Sequence, residues 1–242
     1  MSLAGDIRVL YHLAFSSRRG RTHEERLENF YRGQARDYDA FRSRLLQGRR
    51  ELFESLTAPA GGVWVDMGGG SGSNAEYLGE RLPGLGRYYV VDLCPSLLAV
   101  ARERAARQGW RNVETIHADA TAFVPPEGRA DVVTFSYSLT MIPDWFAAID
   151  HAAALLRPGG QMGVVDFHVS RRHPSPGLTR HGWGTRTFWP IWFAFDGVYL
   201  SPDHLPCLMR RFRVASIVEQ RARLPYLPLL RVPYYRFVGV KS

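Results

Sequence analysis

Between Val63 and Phe167, short apolar runs alternate with segments whose apolar residues recur every three or four positions. The runs at 62–66, 87–92, 112–117, 131–136 and 161–167 predict strands, and the segments at 72–82, 95–109 and 143–156 predict helices. Pro95 opens the second helix where a missing N–H costs nothing. Such regular alternation predicts a parallel sheet covered on both faces.

The flanks follow a different rhythm. Leu3, Ile7, Leu10 and Ala14/Phe15 share a helical face with Arg8, Arg18 and Arg19 around it, the pattern of a lid helix or an interfacial one. A strongly basic helix ends near Leu56. Past the core, Phe188, Trp192, Phe195 and Tyr199 form one helical stripe, of which at least two rings are expected to pack inside. Ser201-Pro202-Asp203 reads as an N-cap with proline at N1, leading a helix to about Arg211. Strands at 212–220 and 234–240 follow, joined by a stiff connector holding Pro225, Pro228 and Pro233. The 242 residues form one domain: a helical cap at 1–57, a core at 58–167, and an acceptor-binding insertion with C-terminal strands at 168–242.

Composition adds three constraints. No apolar run is long enough to span a bilayer and no signal-peptide pattern opens the chain, so cytoplasm is the expected compartment. Cys94 and Cys207 make neither a disulfide framework nor a metal spacing, and the eight histidines are not paired with cysteines or acids, so no metal is expected. The net charge of +8 is uneven: residues 51–165 hold 8 Arg against 13 acids, while 166–242 hold 12 Arg and Lys against 4. An acidic core between basic flanks expects an anionic partner outside the core.

The chemistry concentrates at the strand tips. Asp66-x-Gly68-x-Gly70-x-Gly72 ends the first strand in an acid and a glycine-dense turn. It lacks the third small residue of a dinucleotide fingerprint, which is Ser73 here. A P-loop is excluded as well, because the chain's one lysine is Lys241. The loop resembles motif I of the class I S-adenosylmethionine-dependent methyltransferases. Asp92, at the tip of the second strand, is placed to bind ribose hydroxyls, and Tyr137, past the fourth strand, to face the transferred methyl. Asp119, past the third strand, occupies the position where that family meets the adenine amino group. His168, with Tyr137 and Asp166 behind it, is the expected base for deprotonating an amine acceptor. The Asn/Asp-Pro-Pro-Tyr motif of base-amine methylation is replaced by Ser136-Tyr137-Ser138-Leu139, so nucleic acid is not the expected substrate.

A narrower resemblance lies outside the core. Phe30-Tyr31-x-x-Gln34-Ala35-x-x-Tyr38-Asp39, Asn74 after the loop, and Phe188-Trp189-Pro190-x-Trp192-Phe193 are similar to the betaine-lipid N-methyltransferases. So are Asp196-Gly197-Val198 with Leu200 and Pro202–Pro206, and Pro228–Arg231 with Pro233-Tyr234-Tyr235. The resemblance implies a Rossmann-like fold with a mostly parallel seven-stranded sheet, an antiparallel last strand and a helical N-terminal cap. It implies S-adenosyl-L-methionine as cofactor, held by Tyr38, Arg44, Asp66, Gly68, Gly70, Gly72, Asn74, Asp92, Leu93, Asp119, Ala120 and Ser136. Tyr31, Tyr137 and His168 would be catalytic, and Trp192, Tyr199, His204, Arg231 and Arg236 would bind substrate. The implied reaction is threefold methylation of the amine of diacylglyceryl-homoserine. The implied setting is the inner face of an anionic membrane, with functional pairing to an aminocarboxypropyl-transferring enzyme. A small soluble amine or quinone-like metabolite is the alternative acceptor.

Overall fold

A computed structural model describes residues 22–31, 45–195, 197–224 and 227–242. The expected helix within 1–21, and Tyr38 and Arg44, lie outside the described residues.

Five strands form in the core: β1 (Val63–Met67), β2 (Arg87–Asp92), β3 (Val113–His117), β4 (Ala130–Ser136) and β5 (Leu156–Phe167). The C-terminal β6 (Arg213–Leu224) and β7 (Leu227–Val240) complete a seven-stranded sheet ordered β3-β2-β1-β4-β5-β7-β6. The first five pair in parallel, and β7 lies antiparallel to both β5 and β6. The expected Rossmann-like sheet with an antiparallel last strand is therefore present. The chain leaves β1 toward β2 on one side and returns to β4 on the other. The carboxyl ends of β1 and β4 thus flank the crevice where open α/β sheets take ligands.

Alternation along the strands divides the core in two. Trp64, Tyr88 and Val90 face a layer containing Leu52 and Phe53 of α2 (Arg49–Ser55), while Val65, Met67, Tyr89 and Val91 face Ala148, Ile149 and Ala152 of α4 (Trp145–Leu155). Between these helices in the chain, α3 (Pro95–Gln108) buries Leu97, Leu98, Ala101 and Ala105, a single helical stripe, and ends at Gly109. Near the N-terminus, α1 (His23–Tyr31) rests on α3 through Glu28, whose carboxylate accepts from the Ser96 amide (3.1 Å) and hydroxyl. A carboxylate there also meets the positive end of the α3 dipole.

Several expected boundaries are corrected. The α-helix expected at 72–82 is a 3-10 stretch over Ser73–Gly84, because Gly79 takes φ 52° and ψ −127° and Pro83 removes a donor. The C-terminal strands do not stop at 220 and start at 234. They run to Leu224 and from Leu227, paired through Arg221↔Pro233 and Arg223↔Arg231. β5 pairs with β7 only between Val240 and Tyr234, so Pro233 and Pro228 fall where β7 has a neighbour on one side alone. There a missing N–H breaks no ladder on the open side.

Two helices cover the C-terminal half, α5 (Trp183–Ala194) and α6 (His204–Arg211). The N-cap of α6 is Asp203 rather than Ser201, so Pro202 precedes the cap instead of filling N1. Ser201 Oγ accepts from the Asp203 amide, and the Asp203 carboxylate goes to Arg171. The aromatic stripe is corrected too: Phe188, Trp192, Phe195 and Tyr199 are all exposed. The face of α5 that packs is that of Trp189 and Phe193. Among the described residues no helix is long and apolar enough to cross a membrane.

Candidate functional site

At the crevice beyond β1 and β4 lies a cavity of ≈ 490 Å³. Of the residues expected from the sequence, Tyr31, Gly68, Gly70, Asp92, Leu93, Asp119, Ala120 and Tyr137 line it. Gly68 and Gly69 donate their amides to the Val91 carbonyl, which straps the loop to the tip of β2. The Asp92 carboxylate accepts from the Gly70 amide (2.9 Å) and from the Cys94 amide (2.8 Å), and the residue lines the cavity. Asp119 accepts from the amide and hydroxyl of Thr121, both at 2.8 Å, and is exposed.

The other expected loop residues stand behind this lining. Asp66 is fully buried and accepts from Asn74 (2.9 Å), Tyr88 (3.1 Å) and Thr134 (2.8 Å). Burial outweighs those bonds and pushes its carboxyl up to about 6. Arg49 reaches Asn74 Oδ1 at 3.4 Å, and Gly72 packs on Ala101. Asp66, Gly72 and Asn74 therefore brace the glycine turn from below. Ser136 is likewise buried against Asn74, and Ser138, two residues on, lines the cavity instead, its hydroxyl donating to the Met67 carbonyl.

Tyr137 sits at positive φ (56°), the one non-glycine residue with that conformation among those described. Its ring packs on Phe167 (4.6 Å between centroids) and its hydroxyl donates to the Gln47 carbonyl at 2.6 Å. Burial and the nearby Asp166 hold that phenol well above its ordinary value, so it stays protonated. Such a residue offers the cavity a ring, not a base.

His168 does not reach the cavity. Strand alternation sends Phe167 toward Tyr137 and turns Asp166 and His168 the other way. Asp166 is consumed by the Thr140 amide and hydroxyl and the Phe167 amide, and burial raises it to about 7. His168 Nε2 lies 3.4 Å from Glu219 Oε1, with its ring edge-on to His181 and Tyr235. Burial first, then the neighbouring His181, lowers it to about 3. The fold thus gathers three side chains, His168, His181 and Glu219, that their spacing did not pair; their possible ligand atoms lie within 4.8 Å of one another. His181 Nδ1 accepts from the Ser170 amide at 3.0 Å, which puts the proton of the neutral ring on Nε2 and leaves that nitrogen no lone pair for a metal.

The expected substrate residues also lie apart from the cavity lining. Trp192 and Tyr199 are on the outer surface, Arg231 is exposed beyond the end of β5, and Arg236 lies alongside Gly48. His204 is fully buried, edge-on to Trp145 at 4.7 Å, with neither ring nitrogen hydrogen-bonded. Burial lowers it to about 4. Its folded value lies below its unfolded one, so the unfolded chain takes up the extra proton, and stability is lost as pH falls from about 6.5 toward 4. His204→Phe should change stability by no more than about 1 kcal/mol at pH 7.5 and gain about 2 kcal/mol over the parent at pH 5. Denaturant titrations at the two pH values test this, and equal acid sensitivity of the two proteins would refute it.

The sequence reading missed His23 and Leu27, which line the cavity with Tyr31. They recur at i, i+4 and i+8 on α1, a helical signal present in the sequence. Met141, Ile142 and Pro143 close the opposite wall, and the Tyr31 hydroxyl donates to Met141 Sδ at 3.3 Å across the opening. No periodicity marks that wall. It is assembled by the segment after β4, held in place by Asp166.

Residues 65–160 match the family described as a methyltransferase domain. Over 122 residues the chain is 32% identical to a demethylmenaquinone methyltransferase of Thermus thermophilus, covering 50% of this chain and 54% of that one. Over 120 residues it is 29% identical to the ubiquinone/menaquinone biosynthesis C-methyltransferase UbiE of Hydrogenovibrio crunogenus, covering 49% and 47%. The chain spans about half the length of these curated relatives. Its fold is shared with a Haemonchus contortus phosphoethanolamine N-methyltransferase in complex with S-adenosyl-L-methionine, at a TM-score of 0.61 and 17% identity, over 80% of this chain and 52% of that one. Residues 65–160 thus match a methyltransferase domain, set in a fold that the chain shares with a methyltransferase in complex with S-adenosyl-L-methionine.

Proposed function

We propose that the chain is an N-methyltransferase that transfers methyl groups from S-adenosylmethionine to the amine of diacylglyceryl-homoserine, three times in succession. One observation carries this reading. The run at 188–206, part of the narrower resemblance, is joined to the cavity wall. Phe193 packs at a tilt on Phe167 (4.9 Å between centroids), Phe167 likewise on Tyr137 (4.6 Å), and the Tyr199 amide donates to the Thr140 carbonyl at 2.7 Å. The segment resembling lipid-headgroup enzymes thus positions the ring that faces the acceptor.

In this reading Asp92 holds the ribose, and the Gly68–Gly70 turn receives the methionine part. Tyr31, Tyr137 and Met141 enclose the sulfonium and the growing ammonium, cations that favour aromatic faces and soft sulfur. The transfer is an in-line displacement: the nitrogen loses its proton to water before each of the three attacks, and its lone pair then forms the new C–N bond as the S–CH₃ bond breaks, releasing S-adenosylhomocysteine. Alignment within a water-poor pocket supplies most of the acceleration. Because the Tyr137 hydroxyl is committed to Gln47, Tyr137→Phe should keep kcat within about threefold, against the ~10²-fold or greater loss expected of a general base. Tyr137→Ala should lose at least about tenfold through misalignment. Initial rates for both variants at saturating cofactor decide between ring and base.

The curated relatives support a second reading, transfer to carbon of a demethylated quinone, since the match to them covers the cofactor core. Both acceptors should be offered in mixed micelles with labelled cofactor, and products read by mass spectrometry. Mono-, di- and trimethylated diacylglyceryl-homoserine are the expected products. Label in the quinone alone would overturn the lipid assignment in favour of the second reading.

A further inference from the structure

α5 presents opposite characters on its two sides. Trp189 and Phe193 pack inward at 4% and 5% exposure, while Phe188, Ile191, Trp192 and Phe195 keep 44%, 57%, 41% and 78% of their surface exposed. Successive helical residues turn by about 100°, which places those four within one arc opposite the packed pair. Trp183, at the start of the helix, and Tyr199, beyond its end, are exposed as well. Single exposed rings need no explanation, but four large apolar side chains on one helical arc mark a place of contact.

The charge beside the patch indicates the kind of contact. At the N-terminal end of α5, Arg172, Arg180 and Arg186 border an open basin of ≈ 580 Å³ together with His181 and Trp183. Neighbouring Arg171 is paired with Asp203 at 2.6 Å, whereas among the described residues no carboxylate pairs with the three basin arginines. Residues 180–195 contain no acid. A second copy meeting this face with its own residues 180–195 would offer an apolar surface but no acid from that segment for the basin. An anionic bilayer supplies both partners, phosphates for guanidinium forks and a headgroup boundary where tryptophan and tyrosine settle.

We propose that α5 and the arginine basin are the surface by which this protein docks on an anionic phospholipid membrane, rings into the boundary and arginines onto lipid phosphates. This deepens the lipid-headgroup reading and rests on it for its purpose. The Phe193–Phe167–Tyr137 ring contacts connect the docked helix to the cavity, so docking sets the cavity wall close to the bilayer.

The test is sedimentation of the full chain with vesicles of phosphatidylcholine, with and without phosphatidylglycerol. Neither lipid is the proposed acceptor, so failure to bind does not bear on which amine is methylated, and failure to methylate does not bear on docking. The parent should bind the anionic vesicles, with affinity falling as salt rises. The combined variant Arg172→Gln, Arg180→Gln, Arg186→Gln should weaken binding by about 100-fold or more, and Trp192→Ser with Phe195→Ser by about tenfold. Both variants should retain parental affinity for S-adenosylmethionine, which establishes that they are folded. Equal binding to both vesicle types, no binding, or parental binding by the folded variants overturns the proposal. A dimer seen by light scattering and dissolved by the Trp192/Phe195 variant would also overturn it and assign the patch to a second copy.

Discussion

Asp92→Ala is expected to weaken S-adenosylmethionine binding by about 100-fold, or about 2.7 kcal/mol. The carboxylate fixes the Gly70 and Cys94 amides at 2.9 and 2.8 Å in the wall of the cavity. Removing it discards the ribose contact proposed for it and also leaves two loop amides without their charged acceptor, each such bond contributing roughly 1.5–3 kcal/mol. Asp92→Asn keeps an acceptor oxygen for one amide and loses the charge, so its loss should be smaller, about tenfold. Titration calorimetry with S-adenosylmethionine and S-adenosylhomocysteine measures both variants. Unchanged affinity in Asp92→Ala would remove the cofactor from this cavity. A thermal scan offers a second readout, since cofactor at 100 times its Kd should stabilise the parent by about 2.7 kcal/mol and leave the variant nearly unmoved.

Gly68→Ala should damage folding and binding together. Gly68 has φ +67°, and a Cβ there would sit 2.4 Å from the Cβ of Ser138. Ser138 cannot yield easily: its hydroxyl is bonded to the Met67 carbonyl at 2.8 Å and the residue is buried. The left-handed conformation costs alanine about 1 kcal/mol, and relieving the overlap costs a further 1–3 kcal/mol. A drop in melting temperature on the order of 10 °C follows for a domain of this size. Gly70 provides the contrast within the same loop, because a Cβ there would meet nothing nearer than 3.7 Å. Gly70→Ala should therefore cost little beyond the conformational strain, and its effect should appear chiefly in cofactor affinity. Equal melting temperatures for the two variants would contradict this division of roles.

The sequence by itself determined the sheet and the anchor points of the site. Periodicity placed β1 through β4 within one residue and the end of β5, whose start lies five residues before the expected one, because continuous apolar runs and strand-end acids are local properties of the chain. The turn at Gly68–Gly72, with Asp92 and Asp119 at the ends of later strands, was legible for the same reason: a parallel sheet delivers every strand's carboxyl end to one edge. His23 and Leu27 were legible too, at helical spacing ahead of Tyr31, although they were not read.

Only the tertiary structure decided which side chains from those neighbourhoods face the cavity. A one-residue change of side along β5 put Phe167 against Tyr137 and buried His168 near Glu219, so the expected base became part of the opposite core. Asp66, Gly72 and Asn74 went beneath the loop because the loop folds back onto β2 through the Val91 carbonyl, a contact no spacing announces. The aromatic stripe of α5 was readable as a stripe, but which arc would pack depended on where Phe167 stood to receive Phe193. Local pattern fixes an element and its two faces; long-range packing, which costs chain entropy and is repaid only by the whole core, chooses which face meets the ligand.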